Sequence, residues 1–247
     1  MTFKFLKKVL ITCRYAMMLS VTVLGVSGTA SATLIESIAA LEEGDKYRVL
    51  FVTSTIRDAT STDINDYNSF VNAAAQNGTV TGVLGLTWAA IASTQAVNAQ
   101  DNTGIRRSSN SDVSLFNTFG NVVTNSGAVF WGDWMLPEFI EGDGNGNRAN
   151  SGYYTATGTE YDGSNALGDT LGESTVLVGD AANPNCHYMN CTSREALSNF
   201  TFYGASNIVT VPASGQGISN NVTVPAPGTV ILLSLGLAGL SFSRYRK

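Results

Sequence analysis

The alternation of apolar and polar positions divides the middle of the chain into a strand, a helix and a series of short strands. The run KYRVLFVTS at 46–54 is apolar and rich in β-branched and aromatic residues, which predicts a core strand. Residues 62–78 carry apolar side chains on one helical face, Ser61 or Thr62 can cap the start, and Gly78 can end the helix.

Beyond this helix, short apolar runs separated by turn residues predict strands at 85–93, 112–117, 121–124, 128–134, 174–179 and 206–211. The segment 141–174, which lies between the runs at 128–134 and 174–179, consists almost entirely of loop-forming residues. One strand, one helix and many short strands predict a single α+β domain over residues 33–212.

The N-terminal segment has the pattern of a secretory signal peptide. Four basic residues precede or flank an apolar stretch that ends near Val26, and the small residues Ala30-Ser31-Ala32 follow. We therefore predict a signal peptide at 1–32, with signal peptidase cutting after Ala32 so that the mature chain begins at Thr33. An N-terminal membrane anchor is the alternative.

The C-terminal segment has three parts after a polar spacer at 213–224. They are Pro225-Ala226-Pro227, the apolar run Val230–Phe242, and a basic tip formed by Arg244, Arg246 and Lys247. A helix over the run and the two residues before it would be about 22 Å long, against a hydrocarbon core of about 30 Å. The residues on either side of the run favour a membrane helix. The two prolines end the helix on its outer side, and the positive charges that follow the run mark its cytoplasmic side.

This layout resembles the PEP-CTERM sorting signal of Gram-negative bacteria. The resemblance covers residues 225–247 and implies recognition by exosortase, processing near the proline motif, and transfer to the cell surface or extracellular matrix. Such proteins are often made by cells that produce exopolysaccharide or form biofilms, so extracellular polysaccharide is an implied partner. One position departs from the family, because the usual central Glu is Ala226 here.

Charge excludes one class of function for the body. The 19 acidic residues all lie between Glu36 and Glu195, and only seven basic residues lie outside the two terminal segments, so the mature middle has a net charge of −12. Such a surface repels phosphate backbones, and we expect no binding to nucleic acid.

The body also weakly resembles the endostatin-like branch of the C-type-lectin-like superfamily. The motifs that carry this resemblance are FVTS, FVNAAAQ, LTWAAIAST, VSLFNTFGNVV, FWGDW and TATGTEYDG. The resemblance implies a lectin-like α+β fold. It does not imply sugar binding, because the Glu-Pro-Asn and Trp-Asn-Asp tripeptides of calcium-dependent lectins are absent.

Two cysteines remain after removal of the signal peptide. Cys186 and Cys191 are an even number in an exported chain, which predicts a disulfide bond between them worth roughly 2 kcal/mol. A metal site that includes His187 is the alternative, although two thiols and one imidazole are too few for zinc. Because His187 is the only histidine, any Ser-His-Asp arrangement must use it; a surface histidine beside the bridge is the simpler interpretation.

Acidic and aromatic residues between 131 and 138 are candidates for ligand binding. Asp133 and Glu138 lie beside Trp131 and Trp134, and paired carboxylates with aromatic side chains suit glycoside hydrolysis or sugar stacking. The alternative is that this segment packs in the core.

Calcium is the most credible cofactor, if there is one. Asp143, Asn145 and Asn147 alternate like the start of an EF-hand loop, but Arg148 and Tyr154 occupy positions that the EF-hand requires for Gly and Glu. A looser cage of oxygens would use Asp143, Asn145 and Asp162. The alternative is a polar loop without a metal.

Together these patterns predict an exported, non-enzymatic protein with a structural or ligand-binding role at the cell surface. Its C-terminus would be cytoplasmic before processing. The alternatives are a surface-tethered polysaccharide hydrolase and a calcium-dependent carbohydrate-binding module.

Overall fold

The computed structural model describes residues 29–108, 113–132, 136–149, 154–180 and 187–213. The helices in these ranges are α1 (Thr29–Ala39), α2 (Ile64–Gln76), α3 (Ala99–Thr103) and α4 (Gly127–Gly132), with a 3-10 turn at Gly82–Leu84. The strands are β1 (Lys46–Val52), β2 (Trp88–Ala90), β3 (Val113–Asn117), β4 (Val122–Thr124), β5 (Thr155–Ala156), β6 (Thr175–Gly179), β7 (Thr192–Glu195), β8 (Tyr203–Ser206) and β9 (Val209–Thr210).

The larger sheet has the strand order β2-β8-β1-β3-β4, and β9 also pairs with β1. Strand β1 runs parallel to β3, with Arg48 opposite Leu115, and antiparallel to β8, with Leu50 opposite Ala205. The strand predicted at 46–54 is thus the centre of the sheet, where it brings the N-terminal and C-terminal parts of the body together.

Both faces of this sheet are covered, which explains why β1 is buried from Tyr47 to Val52. On one face, Val49 and Phe51 pack with α2 in a cluster that we call the α2-side core. On the other face, Leu50 and Val52 pack with α4 in the α4-side core. A strand buried on both faces reads as a continuous apolar run rather than as an alternation.

The helix predicted at 62–78 is confirmed as α2, and its two ends differ slightly from the prediction. Its buried residues are Ile64, Tyr67, Val71 and Ala75, which lie on the predicted face. The N-cap is Asp63 rather than Ser61 or Thr62, because the extended backbone of Asp63 lets its carboxylate accept the N–H of Asn65 at 2.9 Å. Asn77, not Gly78, is the C-cap.

The smaller sheet is antiparallel, in the order β5-β6-β7. Its central strand contributes Val176 and Val178 to the α2-side core, so the two sheets share that core. The outer strand β7 is mostly exposed and has the polar sequence TSRE, and for this reason no apolar run predicts it.

One of the predicted strands is wrong in the residues described, and another is confirmed only in part. The run at 128–134 forms helix α4 as far as Gly132, with both Phe130 and Trp131 buried. A short apolar run bounded by turns does not distinguish a strand from a buried helix, which is the source of this error. The run at 206–211 includes only the end of β8 and the two residues of β9.

Helix α1 crosses the predicted cleavage site, since it runs from Thr29 to Ala39. Cleavage after Ala32 would remove its first turn and retain Leu34, which is fully buried in the α2-side core. Residues 1–28 of the predicted signal peptide lie outside the described residues.

The mixture of helices and two sheets agrees with the predicted α+β class. The endostatin-like assignment within that class remains a prediction.

Candidate functional site

Trp131 lies in the core instead of facing solvent. Its side chain is 0% exposed, its Nε1 donates a hydrogen bond to the Ile105 carbonyl oxygen at 2.6 Å, and its ring meets Phe130 edge to face. Gly163 packs so closely against it that a Cβ at position 163 would be 2.8 Å from Trp131 Cδ2. Trp131 therefore does not form the exposed platform that sugar stacking requires.

Of the acidic pair considered for hydrolysis, only Glu138 lies in the described residues. Its Oε1 accepts a hydrogen bond from Asn121 Nδ2 at 3.2 Å, which holds the carboxylate near the start of β4. Asp133 and Trp134 lie outside the described residues, so the separation of the two carboxylates remains a prediction.

The carboxylate of Asp143 organises its own loop. Its Oδ1 accepts the N–H groups of Asn145 and Asn147 at 2.9 and 2.8 Å, in an Asx-type turn. The Asn145 side-chain oxygen accepts the N–H of Thr79 at 3.1 Å, and the carbonyl of Gly144 accepts the N–H of Val80. These contacts attach the loop to the segment that follows α2.

Asp162 forms a similar turn elsewhere. Its Oδ1 accepts from the N–H and the hydroxyl of Ser164 at 3.0 and 2.6 Å, and its carbonyl accepts from Gln100 of α3. Burial alone would raise the pKa of Asp162, but the hydrogen bonds from Ser164 and the charge of Arg107 outweigh burial, so the pKa lies below its ordinary value of 3.8. The carboxylate is therefore ionised at neutral pH.

The residues predicted for a calcium cage thus lie in two different turns. The Asp143 turn packs against the segment after α2, and the Asp162 turn packs against α3. Within the described ranges, no three Asp, Glu, His or Cys residues lie close enough together to hold a metal ion.

His187 is buried rather than on the surface, contrary to the simpler interpretation of the sequence. It is 2% exposed, its Nδ1 accepts the N–H of Met189 at 3.1 Å, and its ring stacks on Tyr188. Cys191 takes part in a disulfide bond. Cys186 lies outside the described residues, so the pairing of these two cysteines remains a prediction.

A cavity of about 160 Å³ opens at the edge of the α4-side core, beside β1 and β3. Its lining includes the buried side chain of Arg48, with Ile105, Val113, Leu115 and Ile208 as apolar walls. Sequence reasoning missed this site because its residues come from distant parts of the chain. The one available signal was a cation in the middle of the apolar run KYRVLFV.

The residues predicted for sorting, Pro225 to Lys247, lie outside the described part of the chain. In the part that is described, each helix is too short or too polar to cross a membrane.

Comparison with known protein families identifies the C-terminal segment. A family model described as the PEP-CTERM protein-sorting motif matches residues 223–247. This match confirms the predicted sorting signal, which begins two residues earlier than predicted. It indicates an exported protein that is sorted by exosortase and made as a membrane-anchored precursor. A search of curated protein sequences finds no match to the chain.

Proposed function

We propose that this protein is delivered to the outer surface or the extracellular matrix of a Gram-negative cell, where its body has a structural or ligand-binding role. The observation that carries the proposal is the sorting motif at 223–247. The predicted signal peptide at 1–32 supplies the matching export route.

The proposed order of events follows from the charges and lengths of the two ends. The signal peptide starts translocation, and the run Val230–Phe242 halts in the inner membrane with Arg244, Arg246 and Lys247 on the cytoplasmic side. Exosortase then processes the chain near Pro225-Ala226-Pro227, and the spacer at 213–224 leaves the folded body clear of the membrane.

The surface chemistry of the body supports a solvated extracellular location. Its net charge of −12 disfavours both nucleic acid and the anionic headgroups of a membrane surface. We propose extracellular polysaccharide as a partner because of the sorting signal, and not because of any sugar-binding residue.

A hydrolase or a sugar-binding module receives no support from the described residues. Trp131 is buried, and Glu138 is hydrogen-bonded to Asn121. We therefore retain the structural or ligand-binding role.

The test is the intact mass of the protein recovered from the cell surface. We expect a chain that begins at Thr33 and ends near Pro227, and a form that keeps its C-terminus when Pro225 and Pro227 are both changed to Ala. Pro212→Ala is the matched control, because it removes a proline outside the matched motif and should leave processing unchanged.

Two outcomes would contradict the proposal. One is an intact C-terminus in the unaltered protein, which would make residues 228–247 an ordinary membrane anchor. The other is equal processing with and without the two prolines. Ala226→Glu restores the usual central residue, and we expect it to increase the processed fraction.

A further inference from the structure

The cavity beside β1 contains a buried positive charge. Arg48 is 7% exposed, and its Nη1 donates to the carbonyl oxygen of Ser206 at 2.7 Å. Alternation along β1 places Arg48 on the same face of the sheet as Leu50 and Val52, which belong to the α4-side core.

No carboxylate of the described residues lies within ion-pair distance of this guanidinium. The two ion pairs in those residues are Arg106 with Asp101 and Arg148 with Glu141. The hydrogen bond to Ser206 uses one of the five N–H donors of Arg48, and the described residues supply no acceptor for the others. Because Arg48 lines the cavity, an anion that enters can accept charge-assisted hydrogen bonds from these remaining donors.

Burial lowers the pKa of Arg48 from its ordinary value of 12.5, since desolvation disfavours the charged form. An arginine remains protonated in proteins despite such a change. The cavity therefore presents a permanent cation at any physiological pH.

Apart from Arg48, the one charged residue in the lining is Arg106, which is already paired with Asp101, and the other walls are apolar or glycine. The space is sized for a small organic molecule. Ile105, Val113, Leu115 and Ile208 form the walls, and the volume is about 160 Å³. A cavity of about 150 Å³ lined by such residues holds benzene. Gly104 leaves the guanidinium accessible, because a Cβ at this position would lie 3.3 Å from Arg48 Nη2.

We propose that this cavity binds a small monocarboxylate with a compact apolar body. The carboxylate pairs with the guanidinium of Arg48, and the apolar body packs against Ile105, Leu115 and Ile208. Inorganic anions such as phosphate offer no surface to these walls and bind more weakly. The inference is independent of the sorting route, since it concerns the folded body alone.

The first test compares benzoate with its neutral analogue benzyl alcohol, by calorimetric titration of the full chain in detergent. We expect benzoate to bind at one site, and both benzyl alcohol and phosphate to bind at least tenfold more weakly. Equal affinities of benzoate and benzyl alcohol would overturn the proposal, because the charge of Arg48 would then have no role. The absence of benzoate binding at millimolar concentration would overturn it too.

Variants then locate the site. Arg48→Gln should weaken benzoate binding at least tenfold, but removal of a buried side chain can also unfold the protein. Ile208→Trp avoids this difficulty, because Ile208 is 44% exposed at the mouth and the larger side chain blocks the cavity without altering Arg48.

Leu197→Trp is the matched control, since Leu197 is 82% exposed and does not line the cavity. We expect Ile208→Trp to lose benzoate binding and Leu197→Trp to retain it. Retention by both variants would show that benzoate binds elsewhere and would overturn the assignment.

Discussion

The indole nitrogen of Trp131 donates a 2.6 Å hydrogen bond to the carbonyl oxygen of Ile105 and thereby joins helix α4 to the segment after α3. Ile105 is also a wall of the Arg48 cavity. A tryptophan that the sequence suggests as a ligand platform thus supports the wall of a different site from inside the core.

Trp131 and Trp88 are a matched pair for measuring this hydrogen bond. Each is buried and packs edge to face on a phenylalanine, but within the described residues Trp88 Nε1 has no hydrogen-bond partner. Trp131→Phe leaves the Ile105 carbonyl without its donor, which should cost about 1–3 kcal/mol beyond the packing term. Trp88→Phe loses packing but no hydrogen bond, and it also removes a buried N–H without a partner in the described residues.

Urea unfolding of the two variants measures the difference. We expect Trp131→Phe to lower the free energy of unfolding by at least about 1 kcal/mol more than Trp88→Phe. Equal losses would mean that the hydrogen bond contributes nothing to stability.

The packing of helix α1 on the body can be tested through Leu34. This side chain is fully buried against the α2-side core and lies two residues after the predicted cleavage site at Ala32. Leu34→Ala should lower the free energy of unfolding by about 2–5 kcal/mol, because it leaves a cavity.

Glu36→Ala is the control on the same helix, since Glu36 is exposed, and its effect should be within about 0.5 kcal/mol. Similar small effects of both substitutions would indicate that α1 does not pack on the body.

The fold was predictable where burial and periodicity agree. Strand β1 and helix α2 follow from runs long enough to show their period. Helix α4 did not follow, because six residues with adjacent Phe130 and Trp131 show no period at all. Strand β7 did not follow either, since an exposed polar strand is defined by its pairing with β6 rather than by its own side chains.

The candidate sites also differ in whether the sequence could predict them. The sorting signal was predictable because it is a short linear segment whose parts lie side by side in the sequence. The cavity was not, because its residues are far apart in the sequence and meet only through the pairing of β1 with β3, β8 and β9. The calcium cage stays a prediction; its residues belong to two turns, of which one contacts the segment after α2 and the other contacts α3.

The low pKa of Asp162 predicts a contribution to stability that depends on pH. A carboxyl whose pKa is lower in the folded state stabilises the fold above its unfolded pKa, near 3.8, and this contribution disappears as the pH falls through the folded value. Ser164→Ala removes the side-chain hydrogen bond and should raise the pKa of Asp162 toward 3.8.

An NMR titration of the carboxyl groups measures the pKa values of Asp162 and Asp58 in one experiment, and Asp58 serves as the internal control. The pKa of Asp58 is lowered chiefly by hydrogen bonds from the side chain and backbone of Thr60, which Ser164→Ala leaves in place. An unchanged pKa of Asp162 in the variant would mean that the backbone N–H of residue 164 and the charge of Arg107, rather than the Ser164 hydroxyl, hold it low.

Calcium should leave the stability of the body unchanged. Asp143 lies in a turn that is attached to the segment after α2, and Asp162 lies in a turn that is attached to α3, so a shared ion would have to bring two separately anchored turns together. A site with a dissociation constant near 1 mM would add about 1.4 kcal/mol at 10 mM calcium. For a chain of this size that gain raises the melting temperature by about 3–6 °C.

We expect no such rise in 10 mM calcium relative to 10 mM magnesium, and no loss on chelation. A rise that both Asp143→Asn and Asp162→Asn abolish would instead establish the cage of Asp143, Asn145 and Asp162. A rise that only one substitution abolishes would place calcium at that turn alone, bound through a single carboxylate.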